Sequence, residues 1–408
     1  MDDNNKRRAR LRSRVRQEVQ TEYESARRLM EARDDYDPVW AYFLDLLMRP
    51  MDRNGLQAAV GRPVVEHLCN QAPYELFHAM GVHPLRMASG CFAAGRLSAG
   101  DFPVLMCPML KAIVGMQRLR ESSQTAPSAR VVPTTCDWVV QYQQMTDADP
   151  EQTFFMELPH LRESERGQQR WLEQAYELVR FLESRMGVKL KRKALASSVQ
   201  IFMRAWQAIG RLIEQRRAGR LPAVWFMAVA NSFMLDPIEP WTEQLQRVLG
   251  HVDAHPSQAA GKGVFLAGSP ILFPNFKLPL LIEAAGMTVL ADDLCTSERI
   301  WPGAVCPEEN SVHGLLRALA ERYHTACICP TFADNERRIN TILGVLQRYP
   351  VRGVVHHVLK GCHPFDIDSF RLERQLKSAG IPFLRIETDY VEEDNRNIAT
   401  RLEAFAEI

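Results

Sequence analysis

Residues 263–295, GVFLAGSPILFPNFKLPLLIEAAGMTVLADDLC, carry the clearest sign of the fold class. The run GVFLAG at 263–268 is typical of a buried strand, KLPLLIEAAG at 277–286 predicts a helix, and MTVLADDLC at 287–295 predicts a second strand. A strand, a helix and a strand in this order form a right-handed βαβ unit in a parallel sheet. We therefore expect an α/β architecture for this segment.

The same alternation extends in both directions. Toward the C terminus, residues 325–330 (TACICP), 351–359 (VRGVVHHVL) and 381–389 (IPFLRIETD) predict strands that alternate with helices. Toward the N terminus, the short apolar runs PVVEHL, FPVLMC, ARVVPTTC and TFFMELP predict a second set of strands.

Helical patterns fill the remaining segments. Apolar residues recur at helical spacing from Trp171 to Leu182, and Gly187 is a suitable stop signal. We predict an α/β fold in which two parallel-sheet domains are joined by a helical segment, with a helical N-terminal extension. The predicted boundaries are 1–60 for the N-terminal segment, 61–160 for the first α/β domain, 161–255 for the helical linker domain and 256–408 for the second α/β domain.

The composition excludes several classes of function. The 408-residue chain has a formal net charge of +1, so no overall field favours nucleic acid or a membrane surface. No run of about 18 apolar residues could span a bilayer, and the start lacks the apolar core of a secretory signal. Neither a GxxxxGKS/T motif nor a GxGxxG motif after a strand occurs. We expect a cytoplasmic chain without nucleic-acid or membrane partners that itself binds neither ATP nor NAD.

Cysteines are the chemically distinctive residues of this chain. Nine occur, and most of them end or follow apolar runs that predict strands. Ligands of open parallel sheets bind beyond the carboxyl ends of the strands, so cysteines from distant segments could form a thiolate cage there. Cytoplasmic cysteines more often bind metals or act in catalysis than form disulfides. The cysteines in such positions are Cys107, Cys136, Cys295, Cys327, Cys329 and Cys362.

The local sequence is compatible with a metal cluster. Cys107 and Cys136 each precede a predicted helix, whose free N–H groups stabilise a thiolate. Gly361 lets the backbone beside Cys362 approach a bulky cofactor. Zinc sites usually draw on paired local ligands, so scattered cysteines favour an iron–sulfur cluster in an interdomain cleft. A zinc ion and ordinary buried thiols remain as alternatives.

Longer motifs resemble a known superfamily, that of the benzoyl-CoA reductases and 2-hydroxyacyl-CoA dehydratases, over nearly the whole chain. The segment HVLKGCHPFDIDSF, residues 357–370, is most similar to a core subunit of the ATP-dependent (class I) benzoyl-CoA reductases. The motifs that carry the wider resemblance include APYELFHAMG (72–81), CPMLKAIVG (107–115), VPTTCDW (132–138), residues 263–286, CICPTFADNERRIN (327–340) and GVVHHVLKGCHPFDIDSF (353–370).

The resemblance implies Rossmann-like halves that cradle an iron–sulfur cluster. It also implies a homologous second core subunit and a separate iron–sulfur activator that hydrolyses ATP. The implied function is to pass low-potential electrons to benzoyl-CoA, an aromatic acyl-CoA, and so convert its ring to a cyclic dienoyl-CoA. The alternatives are a subunit of a 2-hydroxyacyl-CoA dehydratase, which eliminates water by radical chemistry, and a double-cubane electron-relay protein.

The resemblance also assigns roles to individual residues. Cys107, Cys136 and Cys362 match the three recurring cluster ligands of the superfamily. A related double-cubane protein needs about twice as many thiolates as a single 4Fe–4S cubane does. His363 is a candidate for a hydrogen bond or a proton near the cluster, and Cys91 and Cys306 are expected to be ordinary thiols. The further thiolates of a double cubane (8Fe–9S) could come from Cys69, Cys295, Cys327 and Cys329.

Overall fold

The computed structural model describes residues 2–49, 52–121, 127–146, 148–257, 261–301 and 303–408. Within these residues the strands form two four-stranded sheets, and every paired strand is parallel to its neighbour. The α/β class with a helical N-terminal extension is confirmed. None of the described helices carries an apolar run long enough to cross a bilayer.

Helices of the described N-terminal part precede the first strand. They are α1 (Asp2–Glu31), α2 (Ala41–Leu47) and α3 (Arg53–Val60). Along α1, Val15, Val19 and Tyr23 recur every fourth residue and are buried, which places one face of this charged helix against the core.

The first sheet has the strand order β2-β1-β3-β4, so the strand order reverses between β1 and β3. Its strands are β1 (Val64–His67), β2 (His83–Arg86), β3 (Ala129–Pro133) and β4 (Thr153–Met156). The loops that follow β1 and β3 border the crevice at which such sheets bind ligands. Its helices are α4 (Tyr74–Ala79), α5 (Phe92–Ser98), α6 (Pro108–Glu121), α7 (Asp137–Val140) and α8 (Tyr142–Thr146).

A group of long helices follows the first sheet. These are α9 (Glu165–Met186), α10 (Arg192–Arg217), α11 (Ala223–Asn231) and α12 (Ile238–Ala254). Ser164 caps α9 by accepting a hydrogen bond from Gly167 N at 3.0 Å, and Gly187 ends this helix with φ +66°, as predicted. Trp206 and Trp241 are fully buried, and each contributes at most about 4–6 kcal/mol of hydrophobic stabilisation.

The second sheet has the order β6-β5-β7-β8, so the strand order reverses between β5 and β7. Its strands are β5 (Lys262–Gly268), β6 (Met287–Asp292), β7 (Val351–Leu359) and β8 (Phe383–Thr388). Its helices are α13 (Lys277–Ala284), α14 (Val312–Ala320), α15 (Glu336–Arg348), α16 (His363–Ser378) and α17 (Asn395–Glu407).

Two of the predicted strands are wrong. In FPVLMC, Val104 and Leu105 are exposed and the segment is a loop that leads into α6. In TACICP, a single π-helical turn (Glu321–Thr325) continues α14, and a loop follows it. The long-range hydrogen bonds of that loop go to His160 and Arg162 and not to a neighbouring strand. An apolar run of four to six residues does not reveal whether a neighbouring strand is present to pair with it.

Candidate functional site

A cavity of about 490 Å³ lies between the carboxyl ends of the two sheets. Residues on its wall follow strands of both sheets: Leu68 follows β1, Thr135 follows β3, Pro270 follows β5 and Pro364 follows β7. Both points at which the strand order reverses therefore open into one cavity.

Seven of the nine cysteines, all of which are described, line this cavity, which we call the thiol cavity. Cys91 and Cys306 lie elsewhere: Cys91 is buried and its Sγ donates to Glu22 Oε2 at 3.1 Å, and Cys306 is exposed. The structure thus brings together the residues that the sequence singled out, and their role as iron ligands stays a prediction. The cavity thiols are Cys69, Cys107, Cys136, Cys295, Cys327, Cys329 and Cys362.

Cys107 and Cys136 stand directly before α6 and α7. Burial raises the pKa of Cys107 to about 11, and the backbone N–H of Leu110 acts in the opposite direction. Burial also raises the pKa of Cys136, and the backbone N–H of Val139 opposes it. These N–H groups are therefore placed to stabilise sulfur once it carries negative charge.

Cys362 lies beside a close backbone contact between the two halves of the chain. Gly361 has φ +75°, and a Cβ there would stand 1.9 Å from the backbone oxygen of Leu105, two residues before Cys107. Burial raises the pKa of Cys362, the nearby thiol of Cys107 adds to this, and the hydroxyl of Ser269 opposes it. Glycine is thus needed to bring Cys362 beside Cys107.

Electrostatic neighbours group the cavity thiols into two sets, which meet at Cys136 and Cys329. Burial raises the pKa of Cys69, and the thiols of Cys329 and Cys295 act in the same direction. Burial also raises the pKa of Cys327 to about 12, with the thiol of Cys329 as the next cause. We call the two sets the Cys107 set (Cys107, Cys136 and Cys362) and the Cys295 set (Cys69, Cys295, Cys327 and Cys329).

Side-chain donors reach the sulfurs of the Cys295 set. Arg86 Nη2 donates to Cys295 Sγ at 3.3 Å, and Thr331 Oγ1 donates to Cys329 Sγ at 3.3 Å. Arg299 also lines the cavity. Sequence reasoning missed these three residues, although Arg86 ends the apolar run GVHPLR and Arg299 follows Cys295 by four positions in CTSER.

The loop that carries Cys327 and Cys329 is held by the segment after β4. Arg162 donates to the backbone oxygens of Cys327 and Asp334, the latter at 3.0 Å. His160 accepts from Ala333 N through its backbone oxygen at 3.0 Å. Both halves of the chain therefore position these thiols. The loop belongs to the second half, and the residues that hydrogen-bond to it belong to the first.

His363 is exposed and is the first residue of α16. Its ring lies 6.2 Å from that of Trp138, whose Nε1 donates to Gly361 O at 3.0 Å. His363 is not among the residues that line the thiol cavity, although its neighbours Cys362 and Pro364 are. Its proton-donating role stays a prediction.

The thiol cavity fits an iron–sulfur cofactor. Thiolates are the soft ligands that iron–sulfur clusters take, and N–H and O–H donors to sulfur tune such clusters. Within the described residues, no three Cys, His, Asp or Glu side chains gather closely enough to hold one metal ion. The thiols line a wall, an arrangement that suits a cofactor with several separate metal positions. Because buried thiols must lose protons to bind metal, the metal itself would supply the compensating positive charge.

Comparison with known proteins gives matches along most of the chain. The family model described as "2-hydroxyglutaryl-CoA dehydratase, D-component" matches residues 69–408. The protein YjiM of Escherichia coli (strain K12), whose name describes a dehydratase subunit, is 26% identical over 364 residues, covering 85% of this chain and 92% of YjiM. The (R)-phenyllactyl-CoA dehydratase beta subunit of Clostridium sporogenes is 22% identical over 369 residues, covering 88% of this chain and 94% of that subunit. The lactoyl-CoA dehydratase subunit beta of Anaerotignum propionicum is 25% identical over 363 residues, covering 86% and 93%.

Proposed function

Because the chain belongs to the 2-hydroxyglutaryl-CoA dehydratase D-component family, we propose that it is a subunit of a 2-hydroxyacyl-CoA dehydratase that holds an iron–sulfur cluster in the thiol cavity. The observation that carries this proposal is the meeting of seven cysteines from both sheets on one cavity. The relatives named for dehydratase subunits favour this alternative over the benzoyl-CoA reductase suggested by residues 357–370.

The proposed reaction is a redox-neutral elimination. The hydroxyl on carbon 2 and a hydrogen on carbon 3 leave as water, and a carbon–carbon double bond forms between these carbons. When bound, the cluster supplies one electron at low potential, which is recovered at the end of the reaction. The residues of this chain hold the cluster between the carboxyl ends of the two sheets.

The proposal includes two kinds of partner. The names of relatives describe beta subunits, which supports a homologous second subunit in this system. The absence of nucleotide motifs from the sequence fits a separate activator that hydrolyses ATP and delivers the electron. We place the complex in the cytoplasm, where thiols stay reduced.

Metal analysis tests the cluster. The chain, purified with its partner under strict anoxia, should contain iron and acid-labile sulfide, about four or more irons per chain. Replacing any member of the Cys107 set with alanine should remove iron. The matched control is Cys91→Ala, because Cys91 is also buried but lies outside the thiol cavity and should not affect iron binding. Protein that carries zinc and no iron would refute the proposal.

A substrate assay tests the reaction. With activator and partner present, the complex should convert a 2-hydroxyacyl-CoA to the corresponding 2-enoyl-CoA and should leave the ring of benzoyl-CoA intact. Reduction of benzoyl-CoA without elimination of water from any 2-hydroxyacyl-CoA would instead assign the chain to the ring reductases.

The number of thiols favours a second candidate, a double-cubane protein that relays electrons. One cubane binds at most four thiolates, and seven thiols line the cavity. Iron content distinguishes the two candidates, because a single cubane gives about four irons per chain and a double cubane about eight. Cys329→Ala distinguishes them again: a cubane held by the Cys107 set should keep its iron, and a double cubane should lose part of it.

A further inference from the structure

Two arginines on the wall of the thiol cavity lack a carboxylate partner. In the described part of the chain, neither Arg86 nor Arg299 forms an ion pair with an Asp or Glu side chain; their hydrogen bonds go to the backbone oxygens of Cys295 and Asp293 and to the sulfur of Cys295. The carboxylates on the same wall are already engaged by other cations: Asp292 pairs with Arg216 at 2.6 Å, Asp293 with Arg338 at 2.5 Å and Glu298 with Arg217 at 2.5 Å.

Each of these two arginines also has an N–H donor with no acceptor among the described residues. Arg86 Nε and Arg299 Nη2 are buried, and no described residue accepts a hydrogen bond from either. A buried guanidinium with neither a counter-ion nor a full set of acceptors is strongly unfavourable. Because both side chains line the cavity, negative charge inside it would relieve the imbalance.

The surroundings show where that charge belongs. Arg86 already donates to Cys295 Sγ at 3.3 Å. Arg299 follows Cys295 by four positions, and its side chain lines the same wall as Cys295, Cys327 and Cys329. Both arginines therefore lie beside the Cys295 set.

We propose that Arg86 and Arg299 are positioning residues that neutralise the Cys295 set and raise the reduction potential of the iron–sulfur unit it holds; the inference rests on the proposed function in its double-cubane form, in which the Cys295 set holds iron. An added electron makes a thiolate-bound cluster more negative. A fixed cation beside it therefore stabilises the reduced form more than the oxidised form, and burial protects this effect from screening by water.

A redox titration of the anoxic complex, followed by electron paramagnetic resonance, measures the effect. Arg86→Gln and Arg299→Gln should each lower the ratio of reduced to oxidised cluster at least tenfold at a fixed solution potential, equivalent to about 59 mV for one electron. The matched control is Arg337→Gln. Arg337 also lines the cavity, but its side chain is 44% exposed and lies 3.7 Å from Glu163, so the potential should not move.

The outcomes are separable. Full iron content with an unchanged potential in both glutamine variants would overturn the inference and leave the proposed function intact. If the glutamine variants lose iron, the lysine variants Arg86→Lys and Arg299→Lys are tested next. Lysine keeps the positive charge but lacks the planar guanidinium group. Iron recovered in the lysine variants supports the inference, and iron still missing overturns it. A wild-type complex without iron would instead refute the proposed function itself.

Discussion

At the scale of single residues, Gly361 fixes how closely Cys362 approaches Cys107. A side chain at Gly361 would meet the backbone oxygen of Leu105 at 1.9 Å, and φ +75° is unfavourable for any other residue by about 1–2 kcal/mol. Gly361→Ala should therefore lower the unfolding temperature and also reduce the iron content, since the clash pushes the two thiols apart. Anoxic thermal unfolding and iron analysis measure both effects.

A second glycine separates backbone strain from displacement of the thiols. Gly380, just after α16, has φ +68° with no atom within 4 Å of an added Cβ. Gly380→Ala should carry the conformational cost alone and keep its iron. Equal losses of iron in the two variants would contradict the role given to Gly361.

The sequence predicts the cysteines of the site better than their partners. Cys136, Cys295 and Cys362 follow strands at the carboxyl edge of a parallel sheet, so a rule about strand ends is enough to find them. Arg86 and Arg299 differ from the neighbouring arginines because the carboxylates nearby are already paired with those arginines. That fact depends on contacts between distant segments, and no local pattern encodes it.

At the scale of elements, the loop with Cys327 and Cys329 depends on Arg162, whose side chain is only 1% exposed. This guanidinium donates to two backbone oxygens of residues 327–334 and lies 5.0 Å from the ring of Phe332. Charge-assisted hydrogen bonds contribute about 1.5–3 kcal/mol each, so Arg162→Gln should release the loop. We expect faster hydrogen exchange at residues 326–334 and, in a double cubane, loss of the iron held by the Cys295 set.

The control for this loop variant is Arg170→Gln, in the second turn of α9. Arg170 is 41% exposed and pairs only with surface glutamates such as Glu157. Exposed pairs of this kind contribute about 0–1 kcal/mol, so exchange at the loop should not change. Unchanged exchange in Arg162→Gln as well would show that other contacts hold the loop.

The same loop shows the limit of prediction at this scale. TACICP has the composition of a strand, yet Cys327 O accepts from Arg162 and the residues just after TACICP bond to His160, far away in sequence. The strands β5, β6, β7 and β8 were predictable because each recurs between helices, and the βαβ pattern supplies the partner. A lone apolar run has no such context.

At the scale of the whole molecule, one buried carboxylate joins the two halves of the chain. Glu75 of α4 accepts hydrogen bonds from Trp206 of α10 and from Arg322 and Tyr323 of the π-helical turn after α14. Three segments that the sequence assigns to different domains thus meet at one carboxylate. The alternation of elements predicted two sheets, but it could not predict this contact, and the boundaries at 60, 160 and 255 stay a prediction.

Buried histidines give the whole molecule a dependence on pH. Burial lowers the pKa of His83 and of His357 to about 4, and it holds the pKa of His356 well below its ordinary range. Between about pH 6.5 and about pH 4 these histidines bind protons in the unfolded chain but stay neutral in the folded chain. The free energy of unfolding therefore falls as the pH falls through this window. Each histidine contributes up to about 1.4 kcal/mol per pH unit, which denaturant unfolding at about pH 7 and about pH 5 would measure.

One substitution isolates this contribution from opposing groups. Burial raises the pKa of Glu298 and of Asp368, so these carboxyls bind protons more readily in the folded chain and act in the opposite direction. His83→Gln leaves them in place and keeps a donor for Met234 O, which His83 Nε2 reaches at 2.8 Å. The free energy of unfolding of the variant should fall by up to about 1.4 kcal/mol less than that of the wild type per unit of acidification. The reason is that the variant has one imidazole fewer to take up a proton on unfolding. Equal pH slopes in the two proteins would mean that His83 is protonated in the folded state, against the burial that surrounds it.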